Sequence, residues 1–152
     1  MKKVLTFALI VTLVMSLSVT AFAANTTGGE ADITTSIEPT YTVTIPANTN
    51  VNFNATETAF GTIEVVASQI HPDKQIRVTL TTDGELNNAI DATKVIPYVI
   101  KDADGKAFTT ATYLTEGDKT ELSIHITADD WNAAYAGEYS DTVTFTVSYE
   151  SK

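Results

Sequence analysis

Polar and apolar positions alternate along this chain in short runs, and the longest run is the last. From Tyr139 onward the odd positions read Tyr139, Asp141, Val143, Phe145, Val147 and Tyr149, while every even position from Ser140 to Ser148 is Ser or Thr. A two-residue period sends successive side chains to opposite faces of a strand. The run therefore predicts a core strand, odd face inside, long enough to cross the full height of a sandwich. Upstream, Tyr41, Val43 and Ile45 alternate with Thr40, Thr42 and Thr44 between Pro39 and Pro46. Prolines bounding an alternating run mark strand ends. Val51, Phe53 and Ala55 share a parity, as do Ile63, Val65 and Ala67, then Ile76, Val78 and Leu80, then Leu122, Ile124 and Ile126. Each set predicts a half-buried strand.

The punctuation between these runs is equally regular. Asp83-Gly84 and Asp104-Gly105 predict hairpin turns, because the favoured two-residue turn needs positive φ at both central positions. Residues 86–93 lack a pattern and predict a loop holding at most one helical turn. The nearly continuous apolar run from Val95 to Ile100 predicts a strand covered on both faces, with Pro97 displacing it towards an edge. Asp129 and Asp130, the alanines that follow and Gly137 are start and stop signals for a short helix with Trp131 and Tyr135 on one face. The prediction is an all-β fold: a two-layer antiparallel β-sandwich, immunoglobulin-like or jelly-roll, of about eight strands with one short helical turn before the last strand.

The other end of the chain is different in kind. Lys2 and Lys3 precede an apolar run from Val4 to Val19, and Ala21-Phe22-Ala23 follows with small residues flanking one large one. That is the pattern of a secretory signal peptide over residues 1–23, the apolar run being shorter than the roughly 20 residues of a spanning helix. Residues 24–38 then read as a flexible N-terminal segment and 39–152 as the sandwich domain. Within the segment Ile33 and Ile37 share a parity, and Glu38-Pro39 cuts them off from the first firm strand. They form a candidate strand-exchange segment, able to fold back or to add to a neighbour's sheet edge.

Charge and composition narrow the partners. Without Lys2 and Lys3 the nine basic residues become seven against nineteen acidic ones, so the exported chain carries 7 − 19 = −12. Nucleic acid is an unsuitable ligand for such a surface, and no membrane span is expected after signal cleavage. The chain has no cysteine, so an exported form is held by packing alone.

Candidate chemistry is sparse. Asp102-Ala103-Asp104-Gly105 resembles part of a calcium loop but lacks the further ligands such a loop needs, and it suits a hairpin better. His71 and His125 fall in different runs, so no metal site and no cofactor are predicted. There is no Gly-x-Ser-x-Gly elbow. Trp131, Tyr135 and Tyr139 are the densest aromatic group, with Asp129 and Asp130 beside them. They read either as a plug over one end of the core or as a platform for sugar rings with carboxylates to accept hydroxyl hydrogen bonds.

Tyr41-Thr42-Val43-Thr44-Ile45-Pro46-Ala47, Ile96-Pro97-Tyr98, and the ending from Ala136-Gly137-Glu138-Tyr139 to Phe145 resemble small secreted β-sandwich proteins of bacterial surfaces. The ending is similar to that of spore-coat-U-type fimbrial subunits, and more loosely to WxL-domain wall-associated proteins. The resemblance implies a surface or appendage protein that works by binding or assembly, without catalysis. The expected function is accordingly a non-enzymatic secreted or surface-associated protein, an appendage subunit or surface-complex component. Its partners would be other surface or secreted proteins or further copies of itself. A carbohydrate-binding module for cell-wall or extracellular glycan is the alternative, and a small glycoside hydrolase stands third.

Overall fold

The computed structural model describes residues 31–152, of which 31–39 form neither strand nor helix. The predicted signal peptide lies outside the described residues. Ten strands follow: β1 (Thr40–Thr44), β2 (Glu57–Gln69), β3 (Lys74–Thr81), β4 (Glu85–Asn88), β5 (Val95–Pro97), β6 (Val99–Asp102), β7 (Thr110–Tyr113), β8 (Lys119–His125), β9 (Tyr139–Ser140) and β10 (Thr144–Ser151). A single short helix, α1 (Ala128–Ala133), precedes β9 among the described residues. All strand pairs are antiparallel. One layer has the order β1-β2-β8-β6, while β10-β3-β7 and β5-β4-β9 form two further sheets. Those two sheets are stretches of one bent layer, because β3 runs on into β4 and β9 into β10, and the paired strands stay paired across the bend. The fold is the all-β sandwich that the alternating runs predict. Among the described residues no helix is long and apolar enough to cross a membrane.

The core lies where the alternation is undisturbed. Ile76, Val78 and Leu80 of the central strand β3 are buried, and they meet Ile63, Val65 and Leu122 of the facing layer in one cluster. Burying a side chain of this kind contributes about 1.5–3 kcal/mol, so the interior face of β3 alone is a large share of what holds the layers together.

β2 departs from simple alternation. Ile63 and Val65 are fully buried as predicted, but Ala67 is exposed and Phe60, of the other parity, packs on the core. Two register shifts explain this: one between Ala59 and Gly61 against β8, and one at Thr42/Val43, where Val66 is left without a partner on β1. Each extra residue turns the following side chains to the other face. Gly61 has φ 136, and a Cβ there would stand 3.1 Å from the Cβ of Pro46.

Several expected turns and strands are relocated. Asp83-Gly84 makes no hairpin; Gly84 has φ 75 and bends the chain between β3 and β4, with the Glu85 N–H donating to Asp83 Oδ1 at 3.0 Å. Positive φ serves a kink as well as a reversal. The hairpin is instead β4–β5, so the stretch 86–93 read as a loop holds most of a strand. Its turn is tied by the buried Asn88, whose Oδ1 accepts from the N–H groups of Ile90 and Asp91. Asp104-Gly105 does turn a hairpin, with Asp102 Oδ1 accepting from the N–H groups of Asp104 and Lys106 and a bridge between Lys101 and Ala107.

The run Val95–Ile100 is covered on one face only. Ile96, Tyr98 and Ile100 are buried while Pro97 and Val99 are exposed, and the run divides at Tyr98, β5 joining β4 and β6 joining β8. Pro97 sits on an edge strand, as its missing donor requires. Val51, Phe53 and Ala55 form no strand. The tail is not one continuous core strand: it breaks at residues 141–143, and β10 is the edge of its sheet with none of its side chains fully buried. Alternation reports which face is inside, and says nothing of whether a strand is central or marginal.

Candidate functional site

Three chain bends meet at one hydrogen-bonded group. Thr82 lies between β3 and β4, Tyr98 between β5 and β6, and Asp141 between β9 and β10. The Tyr98 hydroxyl donates to the Asp141 carboxylate and lies 2.7 Å from Thr82 Oγ1, which also donates to Asp141 at 3.3 Å. Burial pushes the Tyr98 hydroxyl well above the ordinary tyrosine range, and the Asp141 carboxylate adds to that. Tyr98 thus stays a neutral donor, and the group pins the corner at which strands change sheets.

Around this corner the two lateral sides of the sandwich are finished differently. On the β6/β7 side the chain itself crosses between layers: the Phe108 N–H bonds to Ile100 O beside β6, and Thr109 O accepts from Leu80 N–H beside β7. The crossing puts Phe108 into the core. On the β1/β10 side no strand crosses among the described residues. The layers meet there through stacked side chains, Tyr41 with Tyr149 at 5.7 Å between ring centroids and Phe60 with Phe145 at 6.0 Å. Tyr41, Ile45, Val66 and Val147 are exposed along this side. Ile37, Pro39, Ile70 and Pro72 surround a hollow of about 230 Å³ that lies at its end.

The backbone of β10 supplies the chemistry of this side. Leu80 N–H points to the β7 side, so the even residues of β3 address β7 and the odd ones address β10. The register pairs Thr79 with Thr146 and Arg77 with Ser148, which makes the even residues of β10 the ones bonded to β3. The N–H and C=O groups of Phe145, Val147 and Tyr149 therefore point outward, and no backbone or side-chain group among the described residues bonds to them. Three of the other edges are short or blocked. β1 is five residues long between prolines 39 and 46, β5 carries Pro97, and the outer edge of β6 is covered by residues 107 and 108. β10 has eight residues, no proline, no bulge and one charged side chain, Glu150. Arg77 holds that carboxylate at 2.6 Å and, with Gln75, keeps it below the usual carboxylate range.

The residues singled out from sequence fall in separate settings. Trp131 is 9% exposed, its Nε1–H donating to Ala55 O at 2.8 Å and its ring edge-on to Phe53. α1 ends at Ala133, so Tyr135 does not share a helical face with it, correcting that expectation. Tyr135 is 63% exposed with Lys94 Nζ 4.9 Å from its ring centroid, and Tyr139 is half-buried with its hydroxyl donating to Tyr135 O. Asp130 is occupied in capping: its N–H donates to Thr127 Oγ1, whose hydroxyl donates back to the Asp130 carboxylate. Asp129 is exposed beside it in the first helical turn. Ile33 and Ile37 are exposed and lie in no strand. The outward groups of β10 were missed from sequence; the lack of proline or lysine in an alternating run was the available signal.

His71 and His125 stand on different elements, and among the described residues no three acidic, histidine or cysteine side chains cluster as metal ligands do. His125 does have a serine and a carboxylate near it, with Ser123 Oγ at 3.0 Å and Glu57 at 3.8 Å. Both contacts are to Nε2. A nucleophile relay needs the carboxylate on the opposite ring nitrogen, to orient the imidazole and stabilise its charge, so this group is not one. No family model matches the chain, and no curated protein matches it.

Proposed function

We propose that this chain is a non-enzymatic secreted or surface-associated protein that works by protein contact, as an appendage subunit or a component of a surface complex. The open β10 edge carries the reading. A long flat edge with outward N–H and C=O groups is a template for an added strand, and sequences that have no use for one ordinarily block it. The half-exposed row of Phe145, Val147 and Tyr149 lies beside those groups, so an added strand would gain apolar contact along with its hydrogen bonds. The segment holding Ile33 and Ile37 is one strand that such an edge could take from a neighbouring copy.

Fractionating the native host and cross-linking its surface tests this. The expected result is protein at the surface or in the medium, within cross-linked protein complexes that Val147→Pro depletes. Protein found inside the cell, or outside it with no cross-linked protein partner, would defeat the reading. Carbohydrate binding is the second reading, and the exposed Tyr135 ring favours it. Co-sedimentation with insoluble cell-wall polysaccharide, lost in Tyr135→Ala, would select it instead.

A further inference from the structure

Within two residues of Val147, β10 has the same chemical kind at equal distances on either side. Thr146 is matched by Ser148, and Phe145 by Tyr149. Two antiparallel strands of one sequence are related by a two-fold axis, so a strand symmetric in this way can pair with itself, like opposite like. We propose that the open edge of β10 is occupied by β10 of a second copy of this chain, with the axis passing through Val147. This rests on reading that edge as the contact surface.

The register follows from the outward groups. With Val147 opposite the partner's Val147, Phe145 lies opposite the partner's Tyr149, and Tyr149 opposite the partner's Phe145. These are the residues whose N–H and C=O point outward, so each position becomes a hydrogen-bonded antiparallel pair in which both bonds are exchanged. On the inner face each Phe145 gains an aromatic cross-strand neighbour. On the outer face Thr146 meets the partner's Ser148. A slip of one residue would set outward-pointing groups against positions whose groups are already bonded to β3. A slip of two in either direction would set Phe145 and Tyr149 opposite valine or serine and leave both without an aromatic cross-strand neighbour. The interface is isologous and closed, and it would join the two β10-β3-β7 sheets into one.

Electrostatics permit this contact. Residues 144–149 carry no charge, and the one carboxylate of the strand is held by Arg77. The acidity of the two copies acts over longer distance, where salt screens it, so the dimer should strengthen as salt is added.

Sedimentation velocity of the purified protein across a wide concentration range is the first measurement. The expected result is a reversible monomer–dimer equilibrium shifted to dimer by salt, with amide exchange at Phe145, Val147 and Tyr149 slowing as dimer forms while Thr146 is protected throughout. Val147→Pro removes the N–H at the axis without touching a bond to β3, and should weaken the dimer roughly tenfold or more. The outer face gives a second arm should that variant fail to fold. Thr146→Lys with Ser148→Lys should weaken dimerisation, and Thr146→Lys with Ser148→Glu should restore it, because each position lies opposite the other on the partner. A protein that stays monomeric throughout, or a dimer indifferent to these changes, would overturn the proposal. So would an open-ended ladder of oligomers abolished by deleting residues 24–38, which would assign the edge to the Ile33–Ile37 segment. A monomer that still cross-links to other proteins at the host surface would overturn self-pairing alone and leave the surface-contact reading intact.

Discussion

The two lateral sides of this sandwich solve one problem in opposite ways. At the β6/β7 side the chain turns the corner, so that backbone leaving one layer becomes the edge of the next and Phe108 is drawn into the core. At the β1/β10 side stacked side chains span the gap, and one strand has a row of backbone groups that no other described residue bonds to. Continuous backbone seals a sandwich because it satisfies its own hydrogen bonds while it crosses. Stacked side chains hold layers together yet leave the polar edge unanswered. The contrast teaches that an edge can be stable on its inner face and unsatisfied on its rim.

Truncating one phenylalanine on each side puts the contrast to measurement. Phe108→Ala should cost about 3–5 kcal/mol in urea unfolding, the range for a large aromatic removed from a packed core. Phe145→Ala should cost less, about 1–2 kcal/mol, since its ring is already partly solvated. Equal losses would mean that the sides are equally packed. Asp102→Ala should follow at about 1 kcal/mol, because its carboxylate satisfies two N–H groups in the hairpin that begins the crossing. A denaturation midpoint unmoved by that change would show that the crossing needs no such tie.

The smallest effect is expected in acid. The N–H groups of Leu114 and Thr115 hold the Asp118 carboxyl below its ordinary value of 3.8, in the turn between β7 and β8. On the open side, Arg77 and Gln75 do the same for Glu150. A depressed folded-state value means that the unfolded chain binds the proton first as the pH falls. Both contributions are therefore complete above the ordinary carboxylate range and are lost as pH falls through the lowered values. Asp118→Asn should flatten the acid limb of stability against pH, and Glu150→Gln should flatten it independently. An acid limb unchanged in both variants would place the titration elsewhere.

Much of the fold is written in the alternation, and the exceptions have identifiable causes. Ile76, Val78 and Leu80 could be placed inside because β3 has no bulge, so parity maps directly onto face. In β2 the same rule failed past Val65, since an unpaired residue leaves no mark in a pattern of apolar and polar letters. Asp83-Gly84 announced positive φ and nothing more; whether the chain reverses there depends on which strands lie alongside. The corner group of Thr82, Tyr98 and Asp141 was invisible because its members are far apart in sequence and individually ordinary. Trp131 was recognisable as a candidate plug from the aromatic group it opens, but Ala55 O and Phe53, which decide its orientation, lie in a stretch whose parity suggested a strand that does not form. The outward edge of β10 fell between these cases: the letters were present, and only the sheet order gave them meaning.

The first and last strands of the sandwich emerge side by side. Thr40 is paired with Gln69 and Ser151 with Lys74, while residues 70–73 form the tight connection between those partners. A load applied between the two ends would meet β1 and β10 as the outermost strips of their layers, both gripped from the same end of the molecule. Such a pull peels a strand from its neighbour one hydrogen bond at a time, where a pull along opposed strands would strain the whole ladder together. Under tension this domain should be a soft link that yields first at its edges and extends while β3 and β8 still hold.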